Sequence, residues 1–159
     1  ETLRIYPTAV LEGTKLAEYY FRGGYPQLSQ EEVLDYCADA LCRCHHAGVR
    51  VIRLGLHDTP SLREHLLAGY FHPAYGELAE SRLYLRQLKA AAADCGKTEL
   101  FVETAPRTMS KVLGQHGCNR KALAEQGVSL RVRENAAVAA GTLLAGQQVY
   151  EIFSERNQR

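Results

Sequence analysis

Cysteines, histidines and one closely spaced glycine pair are the residues of this 159-residue chain whose types and spacing can do chemistry. Cys37-x4-Cys42-x-Cys44 runs straight into His45-His46, a dense set of soft metal donors. On a helix, successive residues lie about 100° apart, so Cys42 and Cys44 diverge by about 200° and cannot grip one ion. Cys37 and Cys44 fall on one apolar face, seven residues apart, and read as core. The set is read as structural, with no metal site. Cys95 and Cys118 complete an odd count of thiols, and with no secretory signal they are expected to be free.

The second grouping is Gly114-Gln115-His116-Gly117. Its glycines permit close approach of another backbone, and a helix starting after it would favour phosphate. Arg107, Lys111, His116, Arg120 and Lys121 surround the link with positive charge. Lys15 and Arg53 are candidates for holding a phosphate or carboxylate, because a charge in an apolar strand needs a partner. Arg4 and Arg53 also have Glu12, Asp58 and Glu80 as ion-pair partners, and structural pairing is the reading adopted. The sequence contains no GxSxG, HExxH, P-loop or GxGxxG pattern, which removes the usual hydrolase and nucleotide-binding alternatives.

Composition bounds the rest. A chain this long, 46% apolar, can bury a core as one domain or two small ones. No apolar run approaches the ~20 residues that span a bilayer, and no membrane partner is expected. A soluble, cytoplasmic protein is expected. Residues 97–159 carry 9 Lys/Arg against 6 Asp/Glu, a mild basic excess that suits an anionic partner.

The elements follow from pattern. Leu3, Ile5, Val10 and Leu11 form a short apolar strand broken by Pro7. A brief helix from about Thr14 to Arg22 stops at Gly23-Gly24. Tyr19, Tyr20, Phe21 and Tyr25 gather there as packing aromatics, with a substrate-facing wall as the alternative. Ser29-Gln30-Glu31-Glu32 is a capping box. The helix behind it carries Val33, Leu34, Cys37, Leu41 and Cys44 on one stripe and ends at Gly48. Val49 to Leu56 is the next strand, completing a βαβ crossover suited to a parallel sheet or barrel. Asp58 to Ala74 is a connector, with a short helix over 61–67. A long helix spans about Tyr75 to Cys95, with His72 and Glu77 a hydrogen-bonded hinge at its start. The last third predicts β-α-α-β-β. A strand at Glu99–Glu103 precedes two short helices around the glycine link. A strand at Val128–Arg133, an Ala/Gly loop and a final strand at Gln148–Phe153 follow.

Tyr6-Pro7-Thr8, Gly13-Thr14-Lys15-Leu16 and Gly24-Tyr25 resemble a segment shared by the Elongator-like, histone acetyltransferase-type branch of the radical S-adenosylmethionine (SAM) proteins and bacterial relatives. Val51 to Leu56 resembles the strand that follows. His72-Pro73-Ala74-Tyr75-Gly76-Glu77-Leu78-Ala79-Glu80-Ser81-Arg82 resembles the start of the next helix. The likeness covers about residues 3–90. It implies the last βα units of a partial TIM-type barrel, with SAM and a [4Fe-4S] cluster in the parent enzyme. Loops after the strands carry the active site in such barrels. By position, Gly55, Leu56 and His57 would then approach the cofactor's adenine. Two roles are open for this turn: a base against the Gly55 backbone, or relief of crowding with His57 a surface residue. The chain has no CxxxCxxC motif and begins at Glu1, so it reads as a C-terminal piece, silent alone, whose partner is the N-terminal part of the same chain.

The glycine link, with helices before and after it, resembles a KH-type nucleic-acid module, whose GxxG loop clamps a sugar-phosphate backbone. That likeness implies RNA contacts from Lys111, Gly114, Gln115, His116, Gly117, Arg120 and Lys121. Arg120 stands where such modules carry an apolar residue, and Leu123 is expected to supply the core contact. The expected organisation is α/β plus α+β: barrel segment over 1–74, KH-like domain over 75–159. The expected activity is RNA modification, with a tRNA base as the favoured target, through a 5′-deoxyadenosyl radical. Two alternatives stay open: a non-catalytic RNA-binding module, and a lid or dimerisation element of an enzyme with a small-molecule substrate.

Overall fold

The computed structural model describes residues 1–154, and the chain separates into two compact units, Glu1–Gly76 and Glu77–Arg159. In the first, strand β1 (Thr2–Ile5) pairs in parallel with β3 (Arg50–Leu54), placing Leu3 beside Val51 and Ile5 beside Leu54. Between them lie helices α1 (Lys15–Phe21) and α2 (Gln30–His46). Parallel neighbours require such a crossover, so the βαβ expectation holds.

Each helix starts and stops for a local reason. The Thr14 hydroxyl accepts from the Ala17 amide and caps α1. At α2 the Ser29 hydroxyl accepts from the Glu32 amide, and the Glu32 carboxylate accepts from the Ser29 amide at 2.7 Å. The Ser29 hydroxyl also donates to that carboxylate at 2.7 Å, and this bond, followed by the one from the Ser29 amide, holds the Glu32 carboxyl below its ordinary value. The end of α2 is a Schellman turn. The Gly48 amide donates to the His45 carbonyl and the Val49 amide to the Cys44 carbonyl, with Gly48 at φ +66°.

The stripe of α2 differs from expectation by one row. Leu34, Cys37, Ala38 and Cys42 are buried, while Cys44 is only partly so. At about 100° per residue Cys44 lies close to Cys37 and Cys42 well to the other side of Leu34, so the buried face is rotated toward Ala38 and Cys42.

Two strands depart from the sequence reading. Residues 3–11 are not one broken strand. Past Pro7 the chain re-enters as β2 (Val10–Leu11), antiparallel to β4 (Leu66–Ala68) in a separate sheet. β4 follows directly on α3 (Pro60–His65), in the region expected to stay helical to residue 67. Three residues, Leu-Leu-Ala, are too few to show a period of two. Around β2 and β4 a small core forms from Val10, Ala17 and Ala68, with Leu16, Tyr20 and Tyr25 packed on it.

Helix α4 (Tyr75–Cys95) matches its expected span. Ala79, Leu83, Tyr84, Leu85, Leu88 and Ala91 are buried, a face wider than a single stripe. The second unit's sheet has the order β6-β5-β7-β8, with β5 at Glu99–Thr104, β6 at Ser129–Glu134, β7 at Thr142–Ala145 and β8 at Gln148–Glu151. β5 and β6 are parallel and joined through α5 (Met109–Leu113) and α6 (Cys118–Ala124). β7 lies inside the stretch expected to be an Ala/Gly loop. It is stabilised by its hairpin with β8, turning at Gly146-Gln147 with Gly146 at φ +62°. The order is therefore β-α-α-β-β-β.

Candidate functional site

The three residues at the end of β3 have different surroundings. Gly55 is buried at φ +95°, and a Cβ there would stand 2.7 Å from the Cβ of Tyr75. The glycine is thus needed for Tyr75 to pack at the start of α4, so crowding relief explains its type. Leu56 and His57 line an open cavity of about 640 Å³ with Tyr6, Thr14, Thr59 and His65, beyond the ends of β1 and β3. Ligands of parallel-strand folds gather at this end of the strands.

Arg53 faces this turn. Its Nη1 meets His57 Nε2 at 2.8 Å, so the imidazole accepts there and carries its proton on Nδ1. None of the expected carboxylates takes Arg53 up. Asp58 is held by Arg63 through two hydrogen bonds of 2.6 Å, which keep the Asp58 carboxyl below its ordinary value, and Glu80 pairs with Lys111. Arg53 Nε is buried without a partner. Lys15, the first residue of α1, is exposed. His72 does take part in a hydrogen-bonded turn: its Nδ1 accepts from the Ala74 amide at 3.1 Å.

In the second unit the glycine link is a short 3-10 turn, Gln115–Gly117, between α5 and α6. Gly114 (φ +75°) is buried, and a Cβ on it would stand 2.4 Å from Cys118 Sγ and 3.0 Å from Asn119. Gly117 (φ +73°) has open space around it. His116 is left-handed at φ +52°, and Gln115 and His116 are exposed. Arg120 and Lys121 are exposed on the first turn of α6, while Leu123 is fully buried and supplies the expected core contact.

Lys111 does not stand free beside the loop. Its ammonium is bonded to the Glu80 carboxylate of α4. Partial burial pulls the Lys111 pKa down, but Glu80 outweighs it and the net shift is upward. Arg107, also left-handed at φ +67°, is exposed, and its amide donates to Glu134 at 2.9 Å.

Asn119 escaped the sequence reading. It is buried, and its Nδ2 donates to the Ser81 hydroxyl and carbonyl and to the carbonyls of Lys111 and Val112, at 3.0–3.3 Å. Glu80 and Ser81, adjacent on α4, therefore pin both short helices. The available signal was an amide two residues past the second glycine, on the inward side of a helix too short to need a polar group there.

Among the described residues no group of three or more His, Cys, Asp or Glu side chains can hold a metal, and no helix is long and apolar enough to cross a membrane. No curated protein matches the chain, and no solved structure does. The family of the Radical_SAM C-terminal domain matches residues 1–85, which takes in β1 through the first half of α4, and the chain belongs to that family.

Proposed function

We propose that this chain is the rear portion of a cytoplasmic radical SAM enzyme that modifies RNA, with a tRNA base as the favoured target. Its first unit supplies barrel wall and a cofactor-facing turn; its second unit grips RNA in a KH-like manner. Family membership implies SAM and a [4Fe-4S] cluster in the parent enzyme. The cluster does not fit here: the sequence lacks CxxxCxxC, and Cys37 and Cys42 are buried in α2. A nucleoside-bearing cofactor does fit the cavity beyond β3. Leu56 offers an apolar wall and His57 an imidazole fixed by Arg53. When bound, SAM supplies the 5′-deoxyadenosyl radical; the residues of this chain hold and orient.

The RNA half of the reading rests on one observation. Gly114 is locked against Cys118 and Asn119 while the two middle residues of the link point to solvent. A rigid, exposed turn with Arg120 and Lys121 beside it suits a sugar-phosphate backbone. Lys111, occupied by Glu80, is withdrawn from the contact set.

The test is the double substitution Gln115→Asp/His116→Asp. Asp tolerates the left-handed backbone at 116, so the turn survives while like charge faces phosphate. Gly114→Asp would be uninformative, because its side chain collides with Cys118 and Asn119. Affinity for single-stranded RNA is expected to fall at least ~10-fold at an unchanged melting temperature. Full affinity in the folded variant contradicts the grip. A wild-type chain that binds no RNA favours a lid or dimerisation element.

A further inference from the structure

The second unit holds an open cavity of about 400 Å³ between the end of α6 and the start of the β5–β6 pair. Backbone hydrogen bonds fix its walls. α6 ends in a Schellman turn: the Gly127 amide donates to the Ala124 carbonyl at 2.9 Å and the Val128 amide to the Leu123 carbonyl at 3.0 Å, with Gly127 at φ +77°. Directly after this turn the Ser129 amide donates to the Thr98 carbonyl at 2.7 Å, where the parallel pairing begins. Thr98 and Ser129 are thereby held next to each other. Both are exposed, and both line the cavity.

The charge in this lining has one sign. Arg120 is its one ionisable residue. Arg120 and Ala124 stand four apart on α6 and share a face, and both line the cavity. Lys121 shares its face with Glu125 instead, outside the lining. Among the described residues, no hydrogen bond or ion pair takes up the Arg120 guanidinium or the Thr98 and Ser129 hydroxyls. Glu99, the acid nearest Thr98 in sequence, is bound by Arg131 at 2.6 Å. Another cavity of this unit, beside the β7–β8 hairpin, differs: Asp94 and Glu99 line it with Lys97, which disfavours an anion there.

We propose that this cavity seats one sugar-phosphate unit, with the Arg120 guanidinium forked onto two phosphate oxygens. The Thr98 and Ser129 hydroxyls donate to the remaining oxygens, and Val128 and Leu130 form an apolar wall for the sugar. Arg and hydroxyl donors are the groups that make phosphate contacts, and the planar fork of Arg fits two oxygens where Lys offers a point charge. The volume falls within the ~300–1,000 Å³ of small-ligand sites, room for one such unit. The inference rests on the RNA reading of this unit and deepens it. A strand passing the glycine link meets Arg120 about one helical turn past Gly117 and sets one phosphate into the cavity. It also gives a use to Arg120, which stands where a KH-type module carries an apolar residue. The phosphate can belong to a nucleic-acid backbone or to a free nucleotide.

The experiment titrates the whole chain with uridine 5′-monophosphate and with a short oligouridine, followed by backbone-amide NMR. Both are expected to shift Thr98, Arg120 and Ser129, and uridine without its phosphate is not. Tighter binding of the oligonucleotide assigns the phosphate to a nucleic-acid backbone; equal binding of the monophosphate assigns it to a free nucleotide. Arg120→Lys keeps the charge and loses the fork. It should weaken the oligonucleotide ~10-fold with the salt dependence unchanged, a combination that neither loose charge attraction nor a structural role produces. Thr98→Val/Ser129→Ala, at exposed positions, should weaken it several-fold at an unchanged melting temperature. Full affinity in Arg120→Lys, or no shift of the three residues with the monophosphate, overturns the proposal. The two readings fail separately. Oligouridine that shifts Gln115 and His116 and leaves Thr98 and Ser129 undisturbed overturns this site and keeps the grip. Monophosphate seated in the cavity of a chain that binds no oligonucleotide upholds the site and overturns the grip.

Discussion

Asn119 shows how much one side chain can fix. Its two N–H groups are shared among four acceptors on α4 and α5, and all are buried or partly buried. Asn119→Ala removes these buried bonds, and the expected loss is about 2–3 kcal/mol in urea unfolding. Gly55 makes a second residue-level prediction. Gly55→Ala meets both a positive φ and the Tyr75 Cβ, whereas Gly13→Ala, at φ +75°, meets open space. The first should cost clearly more than the roughly 1 kcal/mol of backbone strain expected of the second. The thiols divide in the same spirit. Burial pushes Cys37 up to about 11, and Cys42 is 1% exposed, while Cys95 and Cys118 are exposed. Timed alkylation at pH 7.5 followed by peptide mass spectrometry should label Cys95 and Cys118 first and Cys37 and Cys42 last.

Among the elements, those announced by local chemistry were legible. The Ser29–Glu32 box, the Gly48 stop and the Tyr75–Cys95 span are each set by residues within a few positions of one another. β4 and β7 were not legible, because each exists only through a partner strand: Val10–Leu11 for one, β5 and β8 for the other. Short strands carry no period, and pairing decides them. The candidate site divides the same way. The position of His57 after a strand and the GxxG turn could be read directly. The Lys111–Glu80 pair and the Asn119 clasp join residues 31 and 38 apart, which no local pattern reveals. The capping box gives a test at this scale. Ser29→Ala should lower the melting temperature by a few degrees, for about 1 kcal/mol. It should also return the Glu32 carboxyl toward its ordinary pKa, visible by NMR titration. Because that pKa is depressed in the folded state, the stabilisation is complete above the ordinary carboxylate range. It is lost as pH falls through the folded value.

At the scale of the whole molecule, net charge of +1 says nothing about a polyanion, so an RNA grip must come from local arrangement. The second unit pairs much of its basic charge internally: Arg131 with Glu99 at 2.6 Å, Arg133 with Glu103, Lys111 with Glu80. Arg120 and Lys121, exposed beside the glycine link, are the charges on which the proposed grip would depend. The number of phosphates neutralised should accordingly be small. The most direct measurement is the affinity of the wild-type chain for single-stranded RNA across a salt series. The account predicts that log K falls linearly with log salt, with a modest slope of about −1.4 for two phosphates, flattened by Arg120→Gln/Lys121→Gln. Binding that does not change with salt, or a folded chain that binds no RNA at low salt, would contradict it.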